Sequence, residues 1–307
     1  MRYGRTLDPE MAAAIARMKA IAAGLPDRYS LPFPQARVQL LHERRWWLED
    51  APAMQATEQS ECTVAGRRVG LRLHRPHAAR APAVVVYLHG GGWCVGSNDT
   101  HDGVLRHLAA ASGLDVVGVD YSLAPEHPFP AAADDVAAVA DRIAQERPFV
   151  LAGDSAGAHL ALVEAMRRRD AGLRQAAGLV LFYGTYGPLR EDGSAAAYGS
   201  GEFGLSVGVM RRYLAAFLGN GTTRDPRAHP LLGDFAGLPP AYLAAAQLDP
   251  LLDETIAAAH RLAAAGNRVS MDIHDGVIHG FISYTRMVGK ARDALARAGR
   301  FAADHVR

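Results

Sequence analysis

The chain has 307 residues, 49% of them apolar, with 33 basic against 32 acidic side chains and a formal charge of +1. This is enough for one large domain or two small ones with real cores, which argues against disorder. The near-neutral balance offers no field for nucleic acid or an anionic membrane, and no stretch approaches the roughly 18 uninterrupted apolar residues that span a bilayer.

Cys62 and Cys94 form no C-x-x-C, so free thiols are expected rather than a zinc knuckle or a disulfide framework. The N-terminal "MAAAIARMKAIAAG" is interrupted by Arg17 and Lys19 and preceded by Asp8 and Glu10, unlike a signal or transit peptide. A cytoplasmic chain is the expectation.

In chain order, residues 8–23 predict an amphipathic helix: Asp8 can cap it, Pro9 suits its first turn, and Met11, Ile15 and Met18 recur near a 3.6-residue period. After the breaker "GLPDRYSLPFPQ", the segment "ARVQLLHERRWWLED" predicts a second helix, whose Leu40, Leu41, Trp46, Trp47 and Leu48 need a cover. From residue 61 the texture changes. "ECTVAGRRVGLRLHRP" predicts a hairpin turning at Ala65 and Gly66, followed by short apolar runs at 83–89, 115–121, 149–153, 178–184, 241–249 and 267–275. Helical patterns at 101–112, 131–146, 156–171 and 251–266 fall between most of them. Strands apolar on both faces that alternate with helices mean an α/β fold with a largely parallel sheet covered on both sides.

A long interval separates the runs at 178 and 241, holding a Gly/Ser/Ala-rich loop (187–204) and one clear helix, "VGVMRRYLAAFLG". Long excursions inside an α/β domain usually serve as lids or binding elements. Residues 1–55 and 188–220 are therefore expected to form a helical cap over a core of 56–187 and 221–307.

Two segments match G-x-S-x-G, "GDSAG" around Ser155 and "GLSVG" around Ser206. Ser155 follows a strand-like run and precedes a helix, with small residues at Gly153, Ala156 and Gly157, as the sharp turn of a nucleophile elbow demands. Ser206 follows a loop and precedes a helix it can cap. "GSGEFG" (199–204) matches a dinucleotide-binding pattern but opens no βα unit, so it is discarded. Upstream, "YLHGGGWCVGS" places three successive glycines after a strand, where backbone N–H groups can meet an oxygen that becomes negative during acyl transfer.

A serine hydroxyl needs a base, and the base an orienting acid, here in the order Ser, acid, His. Asp249 lies just past a strand's C-terminal end, whereas Asp253 and Glu254 fall on the following helix, which is expected to carry them away from the sheet edge. His279 sits in a Gly-flanked loop after the last strand, a setting that His274 and His260 lack.

With HGGGW, "VDYSLAPEHPFPAA", GDSAG, DPLLDE and HGF in this order, the chain resembles the hormone-sensitive-lipase-like branch of the α/β hydrolases, the bacterial acetyl esterase and carboxylesterase group. The resemblance covers roughly residues 60 to 300. It implies the α/β-hydrolase fold with Ser155 as nucleophile, His279 as base and Asp249 as the orienting acid. It further implies an oxyanion hole from the N–H groups of Gly91, Gly92 and Ala156, with His89 bracing the loop. The expected function is serine carboxylesterase action on short-chain acyl esters, with no metal or cofactor. Lactones or amides on the same triad, or ligand binding without hydrolysis, are the alternatives.

Phe33, Trp46, Trp47, Tyr186, Phe203, Met210 and Phe217 are the candidates to line the substrate pocket. Many relatives carry Arg where Ser122 stands and an apolar residue where Cys94 stands; Cys94 is expected to confer thiol sensitivity. Relatives often dimerise through an edge strand, here near "NRVSMDI", or its neighbouring helix, so a homodimer is a further expectation.

Overall fold

The computed structural model describes residues 3–306. Asp8 turns its carboxylate onto the N–H groups of Glu10 and Met11, and helix α1 (Pro9–Ile21) follows. Helix α2 (Phe33–Leu48) starts earlier than the run of helix formers suggested, because Pro34 sits in its first turn, where no N–H is needed. Strands β1 (Ala56–Val64) and β2 (Arg67–Arg75) form the hairpin, with Ala65 and Gly66 both at positive φ, the twist that a two-residue turn between antiparallel strands requires.

The remaining strands are β3 (Val84–Leu88), β4 (Asp115–Asp120), β5 (Phe149–Asp154), β6 (Leu179–Phe182), β7 (Ala241–Leu248) and β8 (Val269–Ile278). They join the hairpin in one 8-stranded sheet of order β1-β2-β4-β3-β5-β6-β7-β8. β2 runs antiparallel to β4, and every pair from β4 through β8 is parallel. The carboxyl ends of β3, β5, β7 and β8 therefore open on one edge.

Alternation along the strands divides the core. Val85, Tyr87, Val150 and Ala152 face α3 (Asn98–Ser112) and α9 (Gly289–His305), while Val84, Val86, Leu88 and Leu151 face α4 (Ala131–Glu146), α5 (Ala156–Asp170) and α8 (Leu252–Ala264). Helix α9 had no counterpart in the sequence reading. Its buried stripe is mostly alanine (Ala291, Ala294, Ala298, Ala302) among many arginines, so it packs closely yet carries little apolar contrast. The Gly/Ser/Ala-rich loop likewise holds a short helix, α6 (Gly193–Tyr198).

Helix α7 (Val207–Phe217) comes down beside α2. Phe33, Ala36 and Leu40 of α2 and Tyr213 and Ala216 of α7 pack with Cys94, Val95 and Ala124 in a separate small cluster over the loop after β3. Among the described residues, no helix is long and apolar enough to cross a membrane, and no cluster of His, Cys, Asp and Glu could hold a metal.

Candidate active site

Strand β5 ends at Asp154, and α5 begins at Ala156, so the whole reversal falls on Ser155, at φ 53° and ψ −117°. A non-glycine residue in this region stores strain of about 1–3 kcal/mol, which the surroundings must hold in place. They do so through a hydrogen bond from the Ser155 N–H to the Phe182 carbonyl at 2.9 Å and through close packing behind the turn. A Cβ at position 157 would lie 1.8 Å from the Leu88 carbonyl oxygen, so only glycine lets α5 settle against β3. The Ser155 side chain makes no capping bond to its own helix, whereas the Ser206 hydroxyl accepts from the Val209 N–H at 3.1 Å and caps α7.

His279 follows the end of β8, which runs on to Ile278, past the residue where the sequence pattern stopped. Its Nε2 lies 3.0 Å from Ser155 Oγ, and its Nδ1 lies 2.7 Å from Asp249 Oδ2. A carboxylate only accepts, so Nδ1 carries the proton and Nε2 turns its lone pair to the hydroxyl. Asp249 is fully buried just past β7, and its Oδ1 accepts the Leu251 N–H at 2.8 Å, which fixes the carboxylate plane. The Tyr183 ring stands edge-on to the His279 ring, centroids 4.9 Å apart. This is geometry in which Nε2 can take a proton from Oγ as the oxygen attacks.

The glycine loop is tied to the same turn. Asp154 Oδ1 accepts the Gly90 N–H and the Tyr87 hydroxyl, each at 2.8 Å, and lies 3.4 Å from His101 Nε2. Burial would raise the Asp154 pKa, but His101, Tyr87 and the Gly90 N–H hold it at about 2. Beyond Gly90 the chain folds into a tight turn, the Gly91 carbonyl accepting from both Cys94 and Val95. At Gly92 a Cβ would meet the Tyr213 ring at 2.0 Å, so α7 can press on the loop only where no side chain exists.

Among the described residues, none accepts a hydrogen bond from the N–H groups of Gly91, Gly92 or Ala156. His89 lies beneath the loop, stacked on Tyr121 at 4.3 Å, with Nδ1 2.9 Å from the Gly90 carbonyl. Burial, reinforced by the nearby His101, pushes its pKa down to about 3, so it is neutral.

Ser155, His279 and Gly90–Gly92 line one cavity of about 170 Å³ beneath α2 and α7. Of the residues expected to line it, only Met210 does. The other six pack against other side chains instead. Trp46 is edge-on to Trp47 and covered by Arg17 and Arg286, Trp47 packs on Tyr284, and Phe33 packs between Tyr213 and Arg212. Phe217 stacks on Trp93 at 4.2 Å, Phe203 packs on Tyr198, and Tyr186 is wholly buried. Large aromatic rings on amphipathic helices went to covering apolar surface, and the cavity wall fell to Tyr29, Leu40, Arg44, Tyr213 and Leu214 instead.

Glu254 also differs from expectation: the first turn of α8 brings it to the cavity rather than away. Its Oε2 accepts the N–H groups of Tyr186 and Gly187 at 2.5 and 2.9 Å, and burial pushes its pKa up to about 7. Cys94 is fully buried, its Sγ 3.7 Å from the Tyr213 carbonyl, and burial raises the thiol to about 12, which removes the basis for thiol sensitivity. The Ser122 N–H donates to the buried Asp135, which Arg67 pairs from β2. Asp154, Tyr87 and His101 went unremarked in the sequence; the single cue was an acidic residue inside GDSAG, and its partners come from other elements.

A family model described as alpha/beta hydrolase fold matches residues 85–283. The chain is 35% identical over 277 residues to the acetyl esterase of Salmonella schwarzengrund (strain CVM19633), covering 86% of this chain and 85% of that one. Among solved structures it is similar to an alpha/beta hydrolase enzyme from the metagenome of Lake Arreo, Spain, with TM-score 0.92, 33% identity and 98% of each chain covered. It is also similar to an esterase from the bacterial hormone-sensitive lipase family, with TM-score 0.86 and 28% identity over 98% of this chain and 99% of that one. Matched over most of its length in both sequence and structure, the chain belongs to the α/β-hydrolase fold family, in its hormone-sensitive-lipase-like branch of bacterial carboxylesterases.

Proposed function

We propose that this carboxylesterase hydrolyses short-chain acyl esters through an acyl-enzyme on Ser155. Ser155 Oγ attacks the ester carbonyl as His279 Nε2 takes its proton, and the oxyanion that forms meets the N–H groups of Gly91, Gly92 and Ala156. Collapse expels the alcohol, protonated by His279. A water deprotonated by the same histidine then releases the acid and restores the serine. Asp249 holds His279 in the tautomer that both steps need.

The observation that carries this reading is the line Asp249–His279–Ser155, with steps of 2.7 and 3.0 Å, opening on a small cavity. A volume of about 170 Å³ falls below the roughly 300–1,000 Å³ of sites for larger ligands, which favours a short acyl chain. The Salmonella relative bears the name acetyl esterase. Residues 1–55 and 188–220 act as the cap that sets this size.

A series of p-nitrophenyl esters tests the reading: activity should peak at the two- to four-carbon acyl chains (roughly the length such a cavity holds), and an optimum on long chains or emulsions would refute it. We further infer that two copies pair along β8, at the sheet's edge, where Ile273 is exposed. Light scattering reports the pairing.

A further inference from the structure

Two arginines of the cap reach the cavity, and only one has a counter-charge. Arg28 donates from Nε to Glu43 at 2.9 Å and lies over the Tyr29 ring. Arg44, on α2, is half-buried and lines the cavity, yet forms no hydrogen bond or ion pair among the described residues, and its Nη1 is buried without an acceptor. The carboxylates of the cavity do not answer it: Asp154 is committed to Tyr87, Gly90 and His101, and Glu254 to Tyr186 and Gly187. A guanidinium held partly out of water with no anion is costly, and a bidentate carboxylate is the group its planar fork fits best.

Its position says which part of an ester it would meet. The guanidinium carbon lies 5.1 Å from the Tyr284 ring centroid. Tyr284 closes the short turn Phe281–Tyr284 that follows His279 and Gly280, and Arg44, His279, Gly280 and Tyr284 line the same cavity. Arg44 thus flanks the His279 wall, and the base that hands its proton to the departing oxygen stands on the leaving-alcohol side.

We propose that Arg44 is a specificity-determining residue that binds a carboxylate on the alcohol portion of the ester, so that the preferred substrates are short-chain acyl esters of small hydroxy acids. The inference rests on the ester-hydrolase reading above. Water enters and the short acid and the free hydroxy acid leave, with no further reactant.

The test is the ratio of kcat/KM for 4-acetoxybutanoate to that for 4-acetoxybutanamide, an acid and its neutral isostere with the same ester linkage. The wild type should favour the acid about tenfold, and Arg44→Gln should lower the ratio about 10- to 100-fold, with Arg44→Lys between them. A wild-type ratio of one or less, or a ratio that Arg44→Gln leaves unaltered, overturns the proposal. So does a charge preference that appears instead for monomethyl succinate over methyl succinamate, where the carboxylate is on the acyl side.

Should Arg44→Gln fail to fold, product inhibition of the wild type decides: 4-hydroxybutanoate should inhibit more tightly than 4-hydroxybutanamide, and equal inhibition refutes the role. Hydrolysis of p-nitrophenyl acetate and of the amide without charge preference removes only the Arg44 assignment. Hydrolysis of none of these esters takes the ester-hydrolase reading down with it.

Discussion

The floor and the roof of the cavity are built by different physics. The floor is backbone: a serine at a strained φ, the close approach of Gly157 to β3, and a glycine loop strapped to Asp154. The roof is side chains from α2 and α7, in which most of the large rings cover apolar joints while a smaller set, Leu40, Arg44, Met210 and Tyr213, faces the cavity. The floor thus admits little variation without losing the geometry, whereas the roof can change at single positions and alter what fits.

The largest effect should come from the floor. Ser155→Ala is expected to lower kcat/KM for p-nitrophenyl acetate by about 10⁴-fold or more with thermal stability retained. Undiminished turnover in that variant would remove Ser155 from the mechanism.

The roof's joints should behave in the opposite way. Trp47 is buried against Tyr284, and Trp47→Ala should cost about 3–5 kcal/mol of stability, read as a lower melting temperature, while the order of preference among acyl chains stays as it was. A reordered preference would place Trp47 in the substrate's path after all.

A third contrast is in pH. Burial holds His89, under the glycine loop, and His159, on α5 against Trp93 and Phe217, at about 3 instead of 6.5, so both are neutral when folded. The unfolded chain binds more protons between these values, so the stability they contribute is present above about pH 6.5 and is lost as pH falls toward 3, at about 1.4 kcal/mol per pH unit for each histidine. Asp154, held at about 2 from 3.8, adds a loss below about pH 4. Glu254, raised from 4.5 to about 7, works the other way and offsets part of this loss, because the folded chain holds its proton where the unfolded chain does not. Urea midpoints should therefore fall from pH 7 to pH 5 by less than the two histidines alone would give, and a rise would show that these histidines are not buried and neutral.

The smallest effect belongs to the roof's lining. Met210→Ala enlarges the cavity at one wall and should shift the best acyl chain upward by a carbon or two, with rate changes of only a few-fold, since a methylene is worth about 1 kcal/mol. An unshifted optimum would mean that Met210 lines a part of the cavity the acyl chain does not reach.

The parallel sheet was legible because strands buried on both faces leave continuous apolar runs, and the hairpin because Ala65 and Gly66 sit between two alternating segments. Helix α9 was not, because its buried face is alanine and contrasts weakly with the arginines around it. Ser155 was legible from its place between a strand and a helix, which Ser206 lacks, and Asp249 and His279 from their order along the chain.

Sequence by itself determined the local chemistry of the floor: which residues tolerate a reversed φ, which glycines permit close approach, and which acid and base follow the serine. Tertiary structure alone decided the roof and the cavity's charge. Helical periodicity says that Trp46, Trp47 and Phe217 must be covered but not by what, and the answer depended on how α2 and α7 settle on the core. Nor does any spacing show that Glu254 turns back onto Tyr186 and Gly187, that Asp154 ties β5 to the glycine loop, or that Arg44 reaches the cavity without an anion. Pairing of charges is a property of residues brought together from distant parts of the chain, and only the packed molecule reveals which of them is left waiting for a partner.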